Sequence, residues 1–387
     1  MNNNQVDDQW VRNQFKIQEF LVRMLRQRSS INIDEKAFLS LYNRFLTLNT
    51  KEPINWDQVQ HPGEQRIKNY EDLTIPDEKD IASALSRLVI LKFNGDLGTS
   101  MNFNGTKSLI QVKNEKSFLE ICIQQIDVNG NSFLAILCWL EEQEKSEESR
   151  IDFLMEITDK TSGDKKEGTL ILYDGVLKFL GLSQVSKEHV EEFLYSEQFK
   201  IFNTNSMWIN IKTLQDLLDS GSLEMDLIVN RKTMRDETKV IQLEESAASA
   251  ISNFKKAMAL KVPRNRFLSV RSTSDLLILR SDIFEANFSG PTLTPLRTSL
   301  DLPTIRLGSR FKSIEDLQRR IPSTPSLLNL RHLTLSGDIY FGSNVVLKGS
   351  VKILAKNNEQ IMIPDGTVLE DQVVIGNFQD YRRHFFT

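Results

Sequence analysis

Apolar residues recur at helical spacing through the first 85 positions, and the pattern then changes twice. Trp10, Phe15, Leu21, Met24 and Leu25 fall near a 3.6-residue period, and so do Phe38, Leu41, Tyr42 and Phe45. Asp34 precedes the second set, where its carboxylate can accept amides of the first helical turn. Pro53 and Pro62 mark a connector, and a third helix capped by Asp77 would bury Ile81, Leu85 and Leu88.

At Leu88 the helical period gives way to a near-continuous apolar run, Leu88-Val89-Ile90-Leu91-Lys92-Phe93. Such a run predicts a strand buried on both faces, as in a parallel sheet. A glycine-rich turn ends it, and Phe118, Leu119, Cys122, Ile123 and Ile126 then predict a helix. Strand, glycine loop and helix make up one unit of a doubly wound α/β fold. Residues 142–150 are a charge run that suits a solvated helix end or loop, and Phe153 to Thr158 reads as a strand. Leu170–Tyr173 and Val176–Phe179 flank Asp174-Gly175, which predicts a hairpin. Strands are expected at Asp226–Val229, Val240–Leu243 and Phe267–Val270, and a helix at Ala247–Ala257. Residues 285–304 hold three prolines and many hydroxyl side chains, so they read as a linker.

The last segment repeats. Leu333, Ile339, Val345 and Val351 are spaced six apart, as are Leu335, Phe341, Leu347 and Ile353, with Gly337 and Gly349 at turn positions. Two interleaved apolar series of period six predict a hexapeptide β-helix. An antiparallel meander would also supply short strands, but it has no reason to hold so strict a period. Coils of such a solenoid stack because none can bury its inner face alone. The expected division is a helical region over 1–85, an α/β domain over 86–304, and a linker with a β-helix over 305–387.

Composition narrows the function classes. A hydrophobic share of 40% with 26% charged residues suits a globular core, and a net charge of −4 argues against a nucleic-acid partner. Cys122 and Cys138 cannot form a disulfide framework and sit among apolar residues. Met1-Asn2-Asn3-Asn4 lacks a basic patch leading into an apolar core, and no run is long enough to cross a bilayer. The expected location is cytoplasmic, with no membrane partner. The four histidines, His61, His189, His332 and His384, show no ligand spacing.

Candidate chemistry centres on the loop after Phe93. Glycines let a backbone approach phosphates closely, consecutive amides can point at their oxygens, and Lys107 adds a positive charge. The loop lacks the spacing of a P-loop. The stretch Leu91 to Leu109 resembles the signature of eukaryotic UDP-sugar pyrophosphorylases, approximately LNGGLGTxMGxxGPK. The resemblance continues through Phe118-Leu119, Gln124-Gln125, Met155 to Thr161, Lys200 to Asn205, Val262-Pro263-Arg264, Arg266-Phe267-Leu268 and Thr273 to Leu277. It ends with Ser336-Gly337-Asp338 and Ile363-Pro364-Asp365-Gly366. In family order, these blocks resemble UTP–glucose-1-phosphate uridylyltransferase, also called UDP-glucose pyrophosphorylase.

The resemblance implies an α/β fold: a Rossmann-like nucleotidyltransferase domain with an incomplete mixed sheet, N-terminal helices and a C-terminal left-handed β-helix. It implies UTP and glucose 1-phosphate as substrates, Mg²⁺ as cofactor, and UDP-glucose with pyrophosphate as products. Phe93, Asn94, Gly95, Asp96 and Lys107 fall on the nucleotide-binding segment, with Lys107 and Arg271 as the catalytic cations. Asn203 and Asn205 fall on the sugar-binding segment. Asp127 falls on a metal-binding aspartate when Ile126 to Gly130 is read against the family's Ile-Asp-Asn-Leu-Gly. Asn203 and Asn205 could also simply cap a turn.

The chain departs from the family in several places. Asp96, Asn102 and Glu167 stand where the family has glycine, Thr106 where it has proline, and Arg271 where it has lysine. Asp96 beside phosphates would meet a repulsion of about 4 kcal/mol at ~4 Å and an effective dielectric near 20. A long family stretch, holding an inner strand, has no counterpart between Gln125 and Ile126. Two functions follow as expectations: a working uridylyltransferase, or an impaired paralogue that serves as a binding or assembly subunit through its β-helix. A homo-oligomer, or a hetero-oligomer with a full-length paralogue, is the expected assembly.

Overall fold

The computed structural model of the chain describes residues 23, 34–47, 54–74, 83–93, 101–103, 105–128, 130–161, 164, 167–233, 237–287, 290–293, 302–356 and 359–376. Two compact units emerge, one of residues 1–72 with 143–262, the other of 73–142 with 263–387.

The first unit is built on a mixed four-stranded sheet in the order Ile67–Asn69, Ala257–Lys261, Phe153–Asp159, Ile201–Ile209. The first three strands run parallel and the last is antiparallel. Phe153–Asp159 has a partner on each side, and its first six residues are buried, as the strand expected at Phe153 to Thr158 requires. Phe153, Met155 and Ile157 pack with Ile251, Phe254, Ala257 and Ala259. The hairpin Thr169–Tyr173 with Val176–Leu180 turns through Asp174 and Gly175 at φ +50° and +77°. Its side chains alternate: Leu170 and Leu177 join the sheet core, whereas Ile171 and Leu180 join a second cluster with Val59, Phe193 and Phe199. The helix Glu35–Thr47 forms as its spacing requires, with the Ala37 amide donating to Asp34 Oδ1 at 3.0 Å. It packs on the hairpin Leu227–Thr233 with Lys239–Glu245, where Arg44 pairs with Glu245.

The second unit carries the period-six series. Strands Thr304–Leu307, Leu330–Ser336, Val346–Leu354 and Val373–Ile375 pair in parallel, and so do Asp338–Phe341 with Gln360–Ile363 and Val346–Leu354 with Val368–Glu370. Leu333 lies opposite Val351 and Leu335 opposite Ile353, three hexapeptides further on. All eight series residues are buried in one apolar cluster. Burying each contributes roughly 1.5–3 kcal/mol. The turns need their glycines. Gly337 and Gly349 take φ +93° and +62°, and a Cβ on Gly337 would stand 2.6 Å from the Ala355 carbonyl oxygen. Helix Ile314–Arg320 docks on this stack through Arg320, whose guanidinium bonds Asp338 Oδ1 at 2.8 and 3.1 Å and Asp316 Oδ1 at 3.0 Å.

Several expected elements are corrected. Residues 88–93 form no strand, no described strand pairs with them, and Val89, Leu91 and Phe93 are exposed. An inner strand needs neighbours on both sides, and among the described residues none is supplied here. Leu85 is exposed as well, while Asp77, Ile81 and the first predicted helix lie outside the described residues, Arg23 excepted. The expected helix at Ala247–Ala257 is a 3₁₀ segment, Ala247–Asn253, and Ala257 opens a parallel strand. Residues 267–270 form no strand. The expected linker contains a hairpin, Phe284–Asn287 with Gly290–Leu293. Residues 142–150 are the solvated helix end that their charge suggested, with Arg150 and Lys256 both paired to Glu147.

Candidate functional site

Phe93, Lys107, Arg271 and Asp127 belong to the second unit, and Asn203 and Asn205 to the first. Asn94, Gly95 and Asp96 lie outside the described residues. Phe93 precedes them with its ring exposed. At the far end of the loop Met101 is buried, and Asn102 takes φ +49°. Asparagine tolerates that conformation better than most side chains, so it can replace the expected glycine.

Lys107 opens a 3₁₀ turn, Lys107–Leu109, that packs against helix Phe118–Val128. The turn leads into a small hairpin, Gln111–Lys113 with Lys116–Ser117. Lys113 anchors the hairpin by donating to the Ser281 carbonyl at 2.5 Å and to the Phe284 carbonyl. Ser117 and Glu120 then start the helix reciprocally: Glu120 Oε2 accepts the Ser117 amide at 2.7 Å, and Ser117 Oγ accepts the Glu120 amide at 3.3 Å. The amide and hydroxyl of Ser117 hold the Glu120 carboxyl below its ordinary range. Lys107 is therefore half-buried on a braced turn rather than on a free surface.

Arg271 is exposed and stands just before helix Thr273–Arg280. Its amide donates to Asp275 Oδ2 at 2.9 Å, and Ser272 caps the helix in a capping box with Asp275. Thr273 Oγ1 donates to the Phe311 carbonyl at 2.7 Å, which ties this helix start to the core. Arg271 thus extends from a fixed backbone, as a positioned cation requires.

Asn203 and Asn205 sit on a bulge. Ile157 pairs with Asn203 but Met155 pairs with Met207, so one strand has extra residues at that point. The two asparagines lock together: Asn203 Nδ2 donates to Asn205 Oδ1 at 2.8 Å, and the Asn205 amide donates to Asn203 Oδ1 at 2.9 Å. Asn203 is buried, whereas Asn205 is exposed at φ +63°. The pair thus caps the turn, as one of the two expectations had it, and the turn presents Asn205 outward. Thr204 Oγ1 and Trp208 Nε1 brace the bulge on Glu156, bonding its carbonyl at 3.0 Å and its Oε1 at 2.9 Å.

Glu156 and Lys160 lie in the block Met155 to Thr161, where the sequence assigns neither a role. Glu156 is only 3% exposed. The signal was its place between Met155 and Ile157 in the expected strand Phe153 to Thr158. Lys160 follows the same strand. Its Nζ is buried with no hydrogen-bond partner among the described residues, 4.7 Å from the centroid of the Phe193 ring. Burial pushes its pKa down to about 8, against the opposing pull of Glu167 and Asp164. A depressed lysine pKa means that the unfolded chain binds more protons between about 8 and 10.5. Lys160→Met is therefore expected to raise stability at pH 7 by on the order of 1–2 kcal/mol, after discounting for solvent screening. The gain should fade as pH rises through that window, which denaturant titrations at pH 7 and 10.5 would read directly.

Asp127 lies in the last turn of helix Phe118–Val128. Among the described residues no three His, Cys, Asp or Glu side chains converge on a point that could hold a metal ion. Among them no helix is long and apolar enough to cross a membrane.

Comparison with known proteins places these features in one family. The family model described as UTP–glucose-1-phosphate uridylyltransferase matches residues 35–136 and 134–348. The uridylyltransferase 2 of Dictyostelium discoideum is 32% identical over 446 residues, covering 90% of this chain and 88% of that protein. The UTP–glucose-1-phosphate uridylyltransferase of Hordeum vulgare is 34% identical over 447 residues, covering 89% and 94%. Both alignments are longer than the 387 residues of the chain, so each carries gaps on its side. The family match falls in two stretches that overlap at residues 134–136. In fold, a UDP-glucose pyrophosphorylase mutant of Leishmania major solved in complex with UDP-glucose matches with a TM-score of 0.73 at 22% identity, over 92% of this chain and 99% of that one. The UDP-glucose phosphorylase of Trypanosoma brucei matches with 0.71 at 24%, over 91% and 98%. With the blocks in order, the fold alike and the family matched along most of its length, the chain belongs to the UTP–glucose-1-phosphate uridylyltransferase family.

Proposed function

We propose that the protein is a UTP:glucose-1-phosphate uridylyltransferase. A phosphate oxygen of glucose 1-phosphate attacks the α-phosphorus of UTP in line, the bond to the β-phosphate oxygen breaks, and pyrophosphate leaves. No protein nucleophile is required, so the chain contributes position and charge. The carrying observation is the family match over residues 35–348, within which Lys107, Asn203 and Asn205 are retained. Phe93, Asn94, Gly95 and Asp96 would cradle the nucleotide, Lys107 and Arg271 would offset the charge of the phosphates, and Asn203 with Asn205 would receive glucose. Mg²⁺ enters as the family's cofactor, with Asp127 as its ligand, and would offset phosphate charge when bound.

The test is pyrophosphate release from purified protein given UTP, glucose 1-phosphate and Mg²⁺. Turnover that needs both substrates supports the reading. Absence of release at every magnesium concentration, with the protein folded, defeats it.

The fold that suits this activity is Rossmann-like in the mixed-sheet unit and a left-handed β-helix in the period-six stack. Inward burial of both series and parallel pairing at three-hexapeptide intervals support the solenoid. The expected setting is the cytoplasm. Assembly through the end of the solenoid, as a homo-oligomer or with a full-length paralogue, is supported by its last strands. Outward residues of the inner coils include Arg331, His332, Lys348 and Lys352, whereas Met362, Val368, Val373 and Ile375 are exposed and apolar. Val373→Lys with Ile375→Glu is expected to shift the elution of the protein in size-exclusion chromatography to a smaller species. Unchanged elution would remove this face from the assembly.

A further inference from the structure

One outer face of the period-six stack carries charge of a single sign. Leu307, Leu335, Ile353 and Val374 lie side by side on four parallel strands and pack into the core. The residues just before them, Arg306, Thr334, Lys352 and Val373, therefore form a row that points outward. Two residues earlier, Thr304, His332 and Ser350 form a second outward row on three of these strands. Arg306, His332 and Lys352 are exposed, and no Asp or Glu occupies either row.

Elsewhere on the stack cations meet carboxylates. Arg320 bonds Asp338 at 2.8 Å, Arg331 bonds Asp371 at 3.1 Å, and Lys348 lies 3.8 Å from Glu370. Asp371 reaches the edge of the second row, where it accepts the Ser350 amide at 2.7 Å, but Arg331 already holds it. Among the described residues no carboxylate pairs with Arg306 or Lys352. The chain as a whole has a net charge of −4, so this face departs from its average.

We propose that this face is a docking surface for an acidic, extended segment of a partner protein, with carboxylates on alternate residues. None of its residues has a part in the proposed reaction. Spacing defines the fit: neighbouring strands stand about 4.8 Å apart, so Arg306 and Lys352 flank Thr334 at ~5 Å on either side. The two rows are two residues apart along the strands, and same-side side chains of an extended peptide repeat at that same interval, about 6.6 Å. A segment lying along the strands sets one carboxylate over Arg306 and Lys352 and the next over His332. The Thr334 and Ser350 hydroxyls add neutral donors on the same rows. Exposed ion pairs are individually weak, so a lone small anion gains little here and a partner needs several contacts in series. Neither row holds a Phe, Tyr or Trp on which a nucleic-acid base could stack.

The experiment follows a short fluorescein-labelled peptide of alternating glutamate and serine by anisotropy with the full-length protein. Saturable binding is expected at low salt, weakening about tenfold as ionic strength rises from ~20 to ~200 mM. Arg306→Glu with Lys352→Glu should weaken it about tenfold or more, because like charges then meet across the contact. Lys187→Glu with Lys239→Glu makes the same charge change at exposed positions of the first unit and should alter binding less than about twofold. Circular dichroism checks that each variant is folded, and Arg306→Gln with Lys352→Gln replaces the reversed pair if that pair is not. No binding by the unchanged chain, or equal losses in the two double variants, overturns the inference. So does tighter binding of a single-stranded oligonucleotide, which would make the face a nucleic-acid surface. A smaller species in size-exclusion chromatography of Arg306→Glu with Lys352→Glu also overturns it, since the face would then join copies of this chain.

Discussion

Lys107→Met is expected to lower the rate of pyrophosphate release by about 10²- to 10³-fold while leaving the protein folded. The substitution keeps an unbranched side chain of similar length on the turn Lys107–Leu109 and removes only the charge. Withdrawing one charge-stabilising group from a transition state costs roughly 3–4 kcal/mol in comparable sites. A lysine that merely bound UTP would raise KM and leave kcat intact, so the two parameters separate the roles. Lys107→Arg should recover only part of the rate, since a planar fork replaces a point charge. Far-ultraviolet circular dichroism should be unchanged, because Lys107 lies outside the apolar clusters. A Lys107→Met protein that turns over at the unchanged rate would remove this residue from the catalytic machinery.

The largest stability effect is expected where helix Ile314–Arg320 meets the parallel stack. Arg320 is 3% exposed, lies over the rings of Phe311 and Tyr340, and bonds Asp338 and Asp316. Asp338→Ala takes away one of two counter-charges and two hydrogen bonds of a buried guanidinium, leaving Asp316 alone, and is expected to cost up to the ~3–5 kcal/mol found where buried pairs have been broken. Arg320→Met is expected to cost less than about 1 kcal/mol. It removes the buried charge itself, and the thioether packs well between two rings. The carboxylates left behind are partly exposed and keep water as a partner. Denaturant midpoints of the two variants test the contrast. Equal losses in both would mean that the pair acts through packing rather than charge.

Period and burial made much of this fold legible. The two hexapeptide series at Leu333 and Leu335 are strict because each coil presents the same inward position to a shared core. Asp174-Gly175 gave its hairpin because few dipeptides accept two consecutive positive φ angles. The run at 88–93 misled for a physical reason. Its apolar character suits a sheet interior, but pairing depends on neighbours supplied by other parts of the chain, and no described strand supplies one. Ala247–Ala257 misled because a small-residue run suits a tight 3₁₀ turn under a sheet as well as an α-helix. Lys107, Arg271, Asn203 and Asn205 were located by motif order alone, since composition says nothing about which lysine or asparagine matters. The bulge that turns Asn205 outward was invisible in the sequence. It arises from a register slip between two distant strands, not from any local preference.

The exposed stretch at 88–93 also governs how the native protein behaves toward small aromatic dyes. Val89, Ile90, Leu91 and Phe93 are between 47% and 74% exposed, and together they offer a contiguous oily strip to water. A fluorophore such as anilinonaphthalene sulfonate adsorbs to such a strip and brightens without any loss of tertiary packing. Thermal melts followed with a hydrophobic reporter would therefore start from a high baseline and lose amplitude. Intrinsic tryptophan emission is free of that background.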